Sequence, residues 1–281
     1  MKKAIFVSLV FLLAACQPVS QTLEVTGTSR PPTRIPEPTL AQTAEPILTL
    51  TTEPISTPES EENAYQICCP LEEETLETLP LIIVNPLNIP PFGQDIGHHG
   101  VDYAYYRRGT RASIEGIEIY AILSGKTVMT LDDDIPYGYT IMIETPLSDL
   151  PDTLQKELMA GYLPVPADPN YRLYCPEVGT PDLTGEYSVY HLYAHMEVRP
   201  PFNTGDPIGC GQNLGTVGNT GYSSNPHLHL ETRLGPSKAN FETLAHYENT
   251  NTIEQMANYC LWRMSGHYQL FDPELLFYGG Q

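Results

Sequence analysis

Pro226-His227-Leu228-His229-Leu230-Glu231-Thr232-Arg233 reads as a β-strand carrying two histidines one residue apart. Alternate side chains of an extended chain point the same way. His227 and His229 therefore share a face. Two other histidine-bearing stretches stand upstream: His98-His99-Gly100-Val101-Asp102 and His191-Leu192-Tyr193-Ala194-His195. If the first is extended, His98, Gly100 and Asp102 share a face and His99 points away. By the same rule Tyr193 and His195 share a face, with His191 further along it. Imidazole nitrogens and a carboxylate are the donors zinc takes, and a catalytic zinc keeps one position open. Two histidines and one aspartate make such a site, and two further histidines remain to handle protons.

The surrounding chain is mainly strand. Stretches 119–123, 126–131, 139–144, 188–195, 214–217 and 227–233 are rich in β-branched and aromatic residues. Glycines at 125, 138, 205, 209, 211, 215, 218 and 221 punctuate them. Two segments read as helix: 152–160, inside a long insertion between Thr145 and Glu186, and 240–264, with a break expected near Asn249. Either can wall a cleft or cap the sheet.

These residues resemble the lysostaphin-like (LytM-type) zinc metalloendopeptidases. That family carries H-x-G-x-D, then Y-x-H, then G-x-x-G-x-T-G followed by P-H-L-H. Here the pieces are His98 to Asp102, Tyr193-Ala194-His195, Gly215 to Gly221 and Pro226 to His229, in the same order and spacing. The resemblance runs with gaps from Gly97 to Arg233. It implies an antiparallel sheet core with the helices as insertions. It implies that His98, Asp102 and His229 bind Zn2+, and that His195 and His227 are the unliganded catalytic pair. His99 and His191 read as bystanders, and Tyr193 as a packing residue, with a hydrogen bond to the site as the alternative. Asn225 stands where glycine is common, and Leu230 where phenylalanine is usual. The stretch from Tyr103 to Glu118 is longer and more polar than usual, and bears on the rim of the cleft. Asp95 and the Asp132-Asp133-Asp134 run read as solvated turns.

The N-terminus places this chemistry. Lys2 and Lys3 precede an apolar run, Ala4 to Leu13, too short to span a bilayer. Leu13-Ala14-Ala15-Cys16 follows. The whole reads as a secretory signal peptide over 1–15, and its end resembles a bacterial lipobox. That resemblance implies cleavage before Cys16 and lipidation of its thiol. No later stretch is apolar enough to span a membrane, so lipid is the expected anchor of an exported, extracytoplasmic protein. Residues 16–63 then form the lipidated cysteine and a linker rich in Thr, Pro, Ser and Glu, with too little apolar surface to fold. Such a linker spans roughly 40 Å as a coil or about 140 Å as polyproline. Residues 64–281 are long enough for one peptidase domain.

The net charge is −20, and −22 once Lys2 and Lys3 are removed. A strongly acidic chain is not built for nucleic acid. After Cys16 five cysteines remain: 68, 69, 175, 210 and 260. Export permits disulfides. The odd count leaves at least one thiol unpaired, and one long-range bridge is expected.

The expected function is a lipid-anchored zinc endopeptidase whose partners are the membrane, through its lipid, and peptidoglycan peptides. Two other readings stand beside it. One is a non-enzymatic envelope scaffold that activates another hydrolase; intact site residues disfavour it. The other is a zinc D-Ala-D-Ala carboxypeptidase; the close H-x-G-x-D spacing disfavours that.

Overall fold

The structure, a computed structural model, describes residues 65–279 apart from 168, 178 and 184, all within the unit Pro58–Gln281. Cys16, the signal peptide and the linker lie outside the described residues. Among the described residues ten strands are present: β1 Ile83–Asn85, β2 Val101–Tyr103, β3 Glu118–Tyr120, β4 Gly125–Asp134, β5 Gly138–Pro146, β6 Tyr187–Met196, β7 Pro207–Ile208, β8 Asn213–Thr216, β9 Leu228–Pro236 and β10 Gln269–Leu270. Eight of them form an antiparallel sheet in the order β1-β2-β9-β6-β5-β4-β7, with β10 also paired to β9. β3 and β8 make a second, two-stranded sheet. The chain is thus mainly β, with an antiparallel core and few helices, as expected. The six expected strands all form, with ends shifted by a few residues.

The central strands show little polar-out alternation, because both faces of the sheet are covered. All nine residues of β9 are buried. On one face Ile141, Ile143, Val189, Tyr193, Leu228 and Leu230 join the small sheet through Ile119 and Leu214. On the other Met129, Met142, Tyr190 and Leu192 meet Phe241, Tyr259 and Trp262. A strand buried on both sides reads as a continuous apolar run rather than an alternating one.

Helix α1, Asp152–Gly161, forms as expected and buries Leu154 and Leu158 in the first layer. The segment expected as helix over 240–264 is helical only as α2, Ile253–Arg263. Its start is set by a capping box: Thr252 Oγ1 accepts from Gln255 N–H, and Gln255 Oε1 accepts from Thr252 N–H. Upstream, the His246 N–H donates to the Ile135 carbonyl, so the backbone is tied to another segment and cannot close a helical turn. A short helix α3, Glu274–Tyr278, follows β10. Among the described residues no helix is long and apolar enough to cross a membrane.

Two disulfides form rather than the single one expected: Cys68–Cys210 and Cys175–Cys260, with Cys69 free. They close spans of 142 and 85 residues. A chain-entropy model gives each about 4–5 kcal/mol.

His191 lies on the Tyr193 side of the sheet, as alternation predicts, and belongs to the core. The Ile122 N–H donates to the Tyr193 hydroxyl, and the Thr145 hydroxyl donates to the Ser124 carbonyl. The Tyr193 proton therefore goes to His191 Nδ1 (2.8 Å), and His191 Nε2–H to Thr145 Oγ1 (3.1 Å). Burial pushes this imidazole down to about 3. Below about pH 6.5 an unfolded chain takes up a proton that the folded chain refuses. This histidine's contribution to stability should therefore fall by about 1.4 kcal/mol per pH unit from there toward pH 3. Urea midpoints between pH 7 and 5 should drop more steeply in the parent than in a His191→Gln variant; parallel slopes would refute the assignment.

Candidate metal centre

Strand β2 pairs with β9 so that Asp102 stands opposite His229. β6 flanks β9 on the other side, with Ala194 opposite His229. Three segments distant in sequence thus meet at one end of the sheet. They open into a cavity of about 710 Å³ whose lining includes His98, Asp102, His195, His227 and His229.

Asp102 Oδ1 is the focus of one half. It lies 3.0 Å from His98 Nε2 and 2.8 Å from His229 Nδ1. Two further atoms of this set are already engaged. His98 Nδ1–H donates to the Pro86 carbonyl at 3.0 Å, and Asn85 Nδ2 donates to Asp102 Oδ2 at 3.1 Å. Histidines that hold metals commonly donate their second ring N–H in this way. Donors of a tetrahedral zinc stand about 3.3 Å apart, so the set of His98, Asp102 and His229 fits the ion in chemistry and spacing. Gly100 is required between them. A Cβ there would come within 2.7 Å of His229 Cε1 and of the Leu230 carbonyl.

Hydrogen bonding decides the charges. Burial alone would raise Asp102, but the hydrogen bonds from His229 and His98 hold its carboxyl well below the usual range. Burial pulls His229 down, and its interactions with Asp102 and Glu231 overcome this and raise it to about 9.

The other half contains His195 and His227, ring centroids 4.8 Å apart. His195 Nδ1–H donates to the Thr220 carbonyl at 2.8 Å, and His227 Nδ1–H to the Asn225 carbonyl at 2.7 Å. Each therefore keeps Nε2 as its free nitrogen. His227 Nε2 lies 3.4 Å from Asp102 Oδ1. Burial pushes His195 down to about 3, so it is neutral near pH 7. His195, His227 and His229 also form a group close enough to hold an ion, so both metal-compatible groups among the described residues contain His229.

Two expectations about faces are corrected. Tyr193 and His195 do not share a face: Tyr193 packs in the first core layer, whereas His195 lines the cavity. The cause is an irregularity in the β5–β6 ladder. Tyr139 pairs with Met196 and Ile141 with Tyr193, so β6 carries one extra residue, and His195 sits there at φ 59°. Nor does His99 turn away from the site region. It is buried, accepts from Arg233 Nη2 at Nδ1 (2.8 Å), and faces Asp95 Oδ1 at 3.6 Å. The segment 98–100 lies outside regular strand, so alternation does not govern it.

Asp95, expected in a solvated turn, instead pairs with Arg263 Nε at 2.7 Å and accepts from the Tyr259 hydroxyl. Tyr247, Tyr259 and Arg263 line the cavity, so segment 240–264 walls the cleft, whereas α1 does not. The 103–118 stretch is not part of the cavity lining; it buries Ile114 and Ile117 in the core. Sequence reasoning missed Asn85, Tyr137 and Glu231. Only Glu231 carried a signal: it is two residues beyond His229 on one strand.

The model of peptidase family M23 matches residues 182–241. That segment is similar to peptidase family M23. It contains His195, His227 and His229; His98 and Asp102 lie upstream of it. No protein with a curated description matches the chain by sequence. Solved structures similar to the chain include the catalytic domain of the antimicrobial peptidase lysostaphin from Staphylococcus simulans, at 22% identity and TM-score 0.32, over 60% of this chain and 91% of that one. The catalytic domain of a prophage-encoded M23 protein from Enterococcus faecalis is 19% identical, TM-score 0.32, over 56% and 81%. A zinc containing peptidase from Vibrio cholerae is 20% identical, TM-score 0.28, over 60% and 34%. The chain thus spans about a third of the Vibrio protein, and 49% of a Pseudomonas aeruginosa chain that it also matches.

Proposed function

We propose that the chain is a lipid-anchored zinc endopeptidase that hydrolyses peptide cross-bridges of bacterial peptidoglycan. One observation carries this reading. Two imidazoles with free Nε2 atoms face the same cavity as a His-Asp-His donor set. His98, Asp102 and His229 would hold the zinc. When bound, zinc polarises a scissile carbonyl and lowers the pKa of water. The protein's part is proton handling. His195 accepts a proton at its free Nε2 and returns it to the leaving amine. The Thr220 carbonyl holds the ring in the tautomer this requires. His227, beside it, steadies charge at the reacting oxygen.

The substrate class rests on the M23 segment together with the export signal. The two disulfides support an oxidising compartment. Digestion of purified peptidoglycan by the full-length protein should release cross-bridge-cleaved peptides detectable by mass spectrometry, and a chelator should stop it. Fragments that are absent, or unaffected by chelation, would count against the proposal.

The anchor makes its own prediction. Cys16→Ala should release the protein from the detergent phase or leave an uncleaved precursor. Unchanged partitioning in Triton X-114 removes the lipoprotein reading.

A further inference from the structure

We propose that Tyr137 is a positioning residue that braces both halves of the metal centre, acting on His229 through Glu231. This rests on the zinc reading above. Tyr137 lies in the short connection 135–137 between β4 and β5, against which three other segments are hydrogen-bonded. The Ile135 carbonyl accepts from His246 N–H, the Pro136 carbonyl from Tyr222 N–H, and the Tyr137 carbonyl from His195 N–H at 2.9 Å. The last bond holds the residue whose positive φ turns the imidazole into the cavity.

The hydroxyl serves the other half. Two donors point at Tyr137 Oη: Trp262 Nε1 at 3.2 Å and Arg263 Nη1 at 3.3 Å. Neither can accept, so the hydroxyl proton has one destination, Glu231 Oε2 at 2.9 Å. The second oxygen, Glu231 Oε1, is taken by Arg233 Nε at 2.5 Å. The carboxylate is thus pinned at both ends. In that pose Oε2 faces His229 Nε2 at 3.6 Å. His229 Nε2 is buried without a hydrogen bond, and the Glu231 carboxylate is the charge that faces it, so the ring is oriented by that attraction. With Nε2 turned toward Glu231, Nδ1 points at Asp102. Without the hydroxyl, Glu231 Oε2 is free to swing toward Arg233, and the ring loses its guide.

Zinc affinity of the full-length protein, measured by competition with a chromogenic chelator, tests this. Partners behind metal ligands typically contribute about 10- to 100-fold in affinity, and Tyr137→Phe is expected to weaken zinc by that factor. Glu231→Gln should do the same, and it carries the test independently if Tyr137→Phe folds poorly. If the tyrosine acts through the glutamate, the double variant should bind no more weakly than the weaker single one. Tyr190→Phe is the control. That hydroxyl is also buried, in the same core layer, but it donates to the Pro236 carbonyl and not to Glu231, so its loss should leave zinc affinity unchanged. Unchanged affinity in Tyr137→Phe, multiplicative losses in the double variant, or an equal loss in Tyr190→Phe each overturn the proposal. Failure of the zinc reading is a different result: a parent protein that takes up no zinc at all.

Discussion

Replacing His229 by alanine is expected to leave the protein without bound zinc and with hydrolysis no faster than the chelated parent. Among the described residues His229 belongs to both donor groups that can hold an ion, so no alternative set among them survives its removal. His98→Ala and Asp102→Ala should act in the same direction. Asp102 Oδ1 is where His98 Nε2 and His229 Nδ1 converge, and no other carboxylate belongs to either group. His99→Ala, one residue from His98, should keep stoichiometric zinc. Its Nδ1 is already occupied by Arg233. Its loss should instead cost stability, about 1–3 kcal/mol for a buried donor left unpaired. Elemental analysis of the four variants, with urea denaturation alongside, distinguishes these outcomes. Full zinc in His229→Ala, or a metal-free His99→Ala, would mean that the ligand set is wrong.

His195→Ala and His227→Ala are expected to keep zinc and lose turnover. Removal of a positioned acid or base typically costs about 100- to 10,000-fold in rate. Both side chains reach the cavity with Nε2 free, because a backbone carbonyl takes Nδ1–H in each. His195→Ala should fold normally, since the backbone bonds from its N–H to Tyr137 and from Gly218 N–H to its carbonyl are retained. The measurements are zinc content and the rate of cross-bridge release at fixed substrate. Near-parental rates in either variant remove that histidine from catalysis, and lost zinc moves it among the ligands.

Much of this site was legible in the chain before any fold was known. His227 and His229 both line the cavity, as alternation predicts, although β9 begins only at Leu228; within that strand the same step of two would have found Glu231. His195 was placed on the wrong face because alternation presumes an unbroken ladder. The extra residue opposite Tyr139–Ile141 leaves no mark in composition. His99 was misplaced for a related reason, being in irregular backbone. The start of α2 could have been read from Thr252 and Gln255, three residues apart. Its missing first half could not, because the bond from His246 to Ile135 is non-local. Tyr137 gives no local signal at all. Its role follows only from four segments meeting around one hydroxyl and one carbonyl.

The place of β9 between β2 and β6 has a consequence for the order in which the protein can acquire activity. The strand that carries His229 is ninth in sequence yet lies inside the sheet, 127 residues from Asp102. Such distant pairings close late, since loop entropy must be overcome before their contacts form. A chain emerging during synthesis, amino terminus first, carries β2 and β6 with nothing yet between them. It has His98 and Asp102 but not the residue that joins them to His195. The two halves of the cleft come together only once β9 has emerged, so a growing chain cannot assemble the site until most of it has been made.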